Sequence, residues 1–148
     1  MGDRAGCHAS MRRADDMVAR ILPDEEPPEM GYVQPGLVDV QHAEALRRLG
    51  DLSAAHSYAC QAIAVVGECH QRGQVHRFAT LATVLAEQGD AEAAAAAAGE
   101  MLDRAAGMES CRIEERVIAD RDAITSRSDG VAARAFAERV SDVLAISA

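Results

Sequence analysis

Two short segments constrain this chain more than anything else in it. Leu49-Gly50-Asp51-Leu52-Ser53-Ala54-Ala55 and Gln88-Gly89-Asp90-Ala91-Glu92-Ala93-Ala94 share one form: a helix stop, a capping Asp, and an Ala five residues after the Gly. Ala43 and Leu46 precede Gly50 at the same offsets at which Ala82 and Leu85 precede Gly89. The two glycines stand 39 residues apart, and Gly130, with Ala135 five residues on, follows 41 later. A two-helix unit of that length cannot bury its own apolar face. Copies must therefore stack.

Composition agrees with helix. Ala fills 31 of the 148 positions, Trp is absent, and Tyr and Phe number two each, a poor supply for sheets. With 49% hydrophobic and 26% charged residues the chain reads as one globular domain. All 15 basic side chains are Arg and the net charge is −9, which argues against nucleic acid being held by this chain directly. The longest apolar run, Ala93 to Ala98, is far short of the roughly 20 residues of a membrane helix. No stretch reads as a signal peptide, and Cys7, Cys60, Cys69 and Cys111 form no CxxC pair. Reduced thiols in a cytoplasmic protein, with no membrane partner, are expected.

Along the chain, residues 1–9 read as a disordered tail and residues 10–22 as an isolated helix with Met11, Ala14, Val18 and Ile21 on one face. Residues 23–34 hold three of the four prolines and a run of carboxylates, which excludes helix and marks a connector. Residues 35–146 read as the repeat domain. Its first helix, opened by Pro35, carries Val38, His42, Ala45, Leu46 and Leu49, and Gly50 ends it. Asp51 or Ser53 caps the next, with Ala55, Ala59, Ala62, Ile63 and Val66 as its stripe. A third, about Gln74 to Gln88, presents Phe78, Leu81, Ala82 and Leu85, and Asp90 caps a fourth over Ala91–Ala106. Ser110 caps a fifth with Ile113, Val117 and Ile124; Asp129 caps a last with Phe136, Val140, Val143 and Leu144. Connections this short make neighbouring helices antiparallel hairpins.

Ala43, Gly50, Ala55 and Ala62 in one unit, and Ala82, Gly89 and Ala94 in the next, resemble the small-residue and turn positions of the tetratricopeptide repeat. Leu46, Leu85, Ala59 and Ala98 stand where that family has large aromatics, and the spacing exceeds its usual length of about 34 residues. Pro27-Pro-Glu-Met-Gly-Tyr32, the helix ending Leu46-Arg-Arg-Leu-Gly-Asp51, and Val131–Val140 are similar to the regulatory region of Xre-type helix-turn-helix transcription regulators from high-GC bacteria. No segment here matches their DNA-binding domain. The resemblance implies an all-α, right-handed superhelical stack of antiparallel helix pairs. It implies a concave face built from the first helix of each pair: Val40, Glu44, Arg47 and Arg48, then His76, Ala79, Thr83 and Glu87, then Asp120 and Arg127.

Catalytic motifs are absent: the sequence holds no GxSxG, no P-loop and no GxGxxG, and its adjacent carboxylates diverge by about 100° on a helix. His56 and Cys60 share a helix face, but no tight ligand pair accompanies them, so buried thiols and ordinary imidazoles are expected and no metal or cofactor. Arg47-Arg48 suits a carboxylate-bearing partner, and equally suits the negative end of its own helix beside Gly50. The expected function is a scaffold for a protein, peptide or small effector, linked to transcription regulation, and not an enzyme. The alternative is a truncated regulator that acts by self-association, as a homodimer through residues 10–22, and an enzyme of unknown type is the third reading.

Overall fold

The computed structural model describes residues 3–21, 36–65 and 70–146. The described residues form seven helices and no strand: α1 Arg4–Val18, α2 Leu37–Arg48, α3 Leu52–Ala64, α4 Gln71–Gln88, α5 Ala91–Ala105, α6 Cys111–Thr125 and α7 Val131–Ile146. None of them is long and apolar enough to cross a membrane. The expected connector, 23–34, and Pro35 lie outside the described residues, as does Cys69. Contacts divide the chain into two units, residues 1–66 and residues 67–148.

In the first unit α2 and α3 form a hairpin, and α1 lies against α2. The hairpin turns where local chemistry requires it. Gly50 adopts a left-handed φ of 78°, its N–H reaching Arg47 O at 2.9 Å, while Asp51 N–H reaches back to Leu46 O at 2.9 Å. Asp51 then caps α3 by accepting from Ala54 N–H at 3.2 Å. Ala43 on α2 and Ala55 and Ala62 on α3 are fully buried. α1 starts at Arg4, six residues ahead of the expected Ser10, because Asp3 accepts from Gly6 N–H at 2.9 Å and caps it. Nor is α1 isolated: Met11 is buried and Arg4 donates to Leu49 O at 2.9 Å.

In the second unit α4 pairs with α5 and α6 with α7; α6 also lies against α4 and α5, and α7 against α5. The α4–α5 turn repeats the first in every bond. Gly89 has φ 88°, Gly89 N–H donates to Ala86 O, Asp90 N–H donates to Leu85 O, and Asp90 accepts from Ala93 N–H at 3.0 Å. Val75, Ala82 and Leu85 of α4, Ala94, Ala98 and Met101 of α5, Val117 and Ile124 of α6, and Phe136 and Val140 of α7 form the core. Burying a side chain the size of Met101 or Phe136 contributes about 1.5–3 kcal/mol. Val75, Ala79, Thr80 and Val84 of α4 are all buried.

The third turn departs from the pattern. Gly130 lacks a left-handed φ and stands directly before α7, where its N–H donates to Ser128 Oγ at 3.1 Å; Asp129 is one residue outside the capping position. Ala133, rather than Ala135, is the buried small residue of α7. Ser110 does precede α6, but its side chain makes no capping bond.

Candidate binding face

The residues expected on a concave face fall in both units. In the first, α2 places Glu44, Arg47 and Arg48 on two consecutive turns. Val40 is only 1% exposed, so it is a core side chain and offers a partner no contact surface. Arg47 is held by Glu44, with Nη2 3.1 Å from Oε2. Arg48 is exposed, and both arginines occupy the last turn of α2, where they complement its dipole.

In the second unit α4 presents His76, exposed, and Thr83 and Glu87, half-buried; Ala79 is buried. Thr83 and Asp120 are brought together. Asp120 on α6 is 2% exposed, and its Oδ1 lies 2.7 Å from Thr83 Oγ1. Thr83 Oγ1 is also 3.0 Å from Ala79 O, but one hydroxyl carries one proton, and the shorter contact to a charged oxygen takes it. Arg116 completes the group: its Nη2 donates to Thr83 Oγ1 at 2.9 Å and its Nε stands 3.6 Å from Asp120 Oδ2. A buried carboxylate without such a partner would be costly. Arg116 was absent from the sequence expectation, although its i,i+4 spacing to Asp120 is legible. Arg127 stands apart, exposed, donating to Ala123 O at 3.0 Å near the end of α6. The face is therefore a polar seam between α4 and α6 with charged side chains at its ends.

Other polar groups sit away from this seam. His42 on α2 is buried with its ring edge-on to Tyr58, centroids 5.1 Å apart, and with no hydrogen bond to Nδ1 or Nε2; Asp15 Oδ1 on α1 is 3.6 Å from Nδ1. Arg104 on α5 lies over the Phe78 ring at 4.3 Å and donates to Gln74 Oε1 at 2.6 Å. Partial burial pushes the Cys60 thiol up from its ordinary pKa, which disfavours the thiolate a metal or an electrophile would need. Among the described residues no three His, Cys, Asp or Glu side chains cluster to hold a metal ion.

A groove of about 590 Å³ opens at one end of the second unit, a feature the sequence did not announce. It is bounded by the end of α5, the turn through Met108 and Glu109, the start of α6 and the end of α7. Val143, expected in the core stripe of its helix, is instead 46% exposed along this groove. Comparison with protein-family models, with curated proteins and with solved structures finds no match.

Proposed function

We propose that this chain is a tetratricopeptide-like scaffold that binds a protein, peptide or small effector and serves transcription regulation in the cytoplasm, without catalysis of its own. The observation that carries this reading is the common build of two hairpins. At Gly50-Asp51 and Gly89-Asp90 the same three devices recur: a left-handed stop, a backward bond to the residue four before the Gly, and an Asp cap. The small residues that follow, Ala55 and Ala94, are both fully buried. The neighbour pattern of α4 to α7 supports stacking, since α6 against α4 and α7 against α5 is what successive hairpins produce.

Panning a displayed peptide library on the full chain tests this reading. Acidic peptides should be enriched, and Arg48→Glu should weaken them about fivefold or more, since Arg48 is the exposed cation of the doublet. No enrichment over an unrelated protein would overturn it.

Self-association is the second reading, and Met17, Val18 and Ile21 favour it, being 70%, 45% and 41% exposed on and just after α1. Sedimentation would then show twice the chain mass, and deleting residues 1–22 would restore the monomer. A monomer at high micromolar concentration removes it.

A further inference from the structure

We infer that the groove at the α5–α6 turn binds an amphipathic organic cation, a small molecule with an apolar body and a single positive charge. Its volume of about 590 Å³ falls within the range of small-molecule sites. Leu102, Met108, Ile113, Val117, Val143 and Leu144 give it apolar walls, and Met108 can adapt to irregular shapes. The charged side chains among its described lining are Glu109 and Glu114, both exposed, and no Arg is among that lining. Backbone polarity has the same sign, because the C-terminal ends of α5 and α7 bring two negative helix poles to the groove. The positive pole at the start of α6 carries Glu114 in its own first turn. An anionic amphiphile would set its head among carboxylates. A cation would satisfy them while its body covers Val143. No residue of the α4–α6 seam lines this groove, so the assignment stands apart from the scaffold reading.

Fluorescence anisotropy on the full chain tests it, with rhodamine 6G as the cationic probe and fluorescein as an anionic one of similar ring system. Rhodamine 6G should bind saturably and more weakly as salt rises. Changing Glu109 and Glu114 together to Gln should weaken it about fivefold. Ala106→Phe, at an exposed lining position outside the core, should block the groove and abolish saturable binding, with circular dichroism confirming the fold. Equal affinity for fluorescein, indifference to Ala106→Phe, or binding of a basic amphipathic peptide but not of rhodamine 6G would each overturn the proposal.

Discussion

His42 and Thr83 show two opposite ways of burying a polar side chain. The His42 imidazole is 3% exposed with neither nitrogen hydrogen-bonded, and Asp15 at 3.6 Å is too far to supply the bond. Two bare nitrogens there cost stability that a carbon ring would not. His42→Phe keeps the edge-on contact with Tyr58, and stability to urea should stay level or rise by up to about 1 kcal/mol. A clear loss of stability would mean the nitrogens are hydrogen-bonded in solution. Thr83 is the reverse case, serving Asp120 and Arg116 at once. Thr83→Val should cost about 1–3 kcal/mol, because it strips a donor from a buried carboxylate. Thr125→Val, which removes only an exposed hydroxyl's bond to Arg121 O, should stay within about 0.5 kcal/mol. The sequence could place Thr83 and Asp120 on one face, since both lie on first helices of their pairs. It could not show that they meet, because their separation of 37 residues leaves the contact to packing.

For the helical elements, the stops and caps were legible and the orientations less so. Gly50, Asp51, Gly89 and Asp90 act through bonds to near neighbours, which sequence patterns record directly. Which side of α2 turns inward depends on the elements around it, and there the expected stripe of Val38, Ala45 and Leu49 gave way to Val40 and Ala43 as buried partners of His42 and Leu46. The third turn was misregistered for a related reason: a glycine marks a helix stop only when its φ is left-handed, and that of Gly130 is not. Two substitutions separate backbone from packing. At Gly89 an added Cβ meets nothing within 4 Å, so Gly89→Ala should cost only the left-handed penalty of about 1–2 kcal/mol. Ala94→Leu, at a fully buried position on α5, should overpack and cost about 1–3 kcal/mol. Thermal unfolding checks both, and parent-like behaviour of Ala94→Leu would mean that α5 is seated differently.

For the molecule as a whole, charge gives the clearest expectation. At net −9 with 15 Arg and no Lys, the chain should not shift duplex DNA at physiological salt. A mobility shift at low micromolar protein that weakens with salt would reverse that and make the chain a direct DNA binder. The recurring Gly-Asp turn also bears on how the chain reaches its fold. Each reversal is closed by bonds spanning five residues or fewer, so the zipping of α2 onto α3, or of α4 onto α5, needs no distant strand of chain to arrive first. Contacts so local in sequence should let both hairpins form in the fast regime of microseconds to milliseconds, ahead of the longer-range α4–α6 seam, so Ala94→Leu should slow refolding while Thr83→Val mainly speeds unfolding.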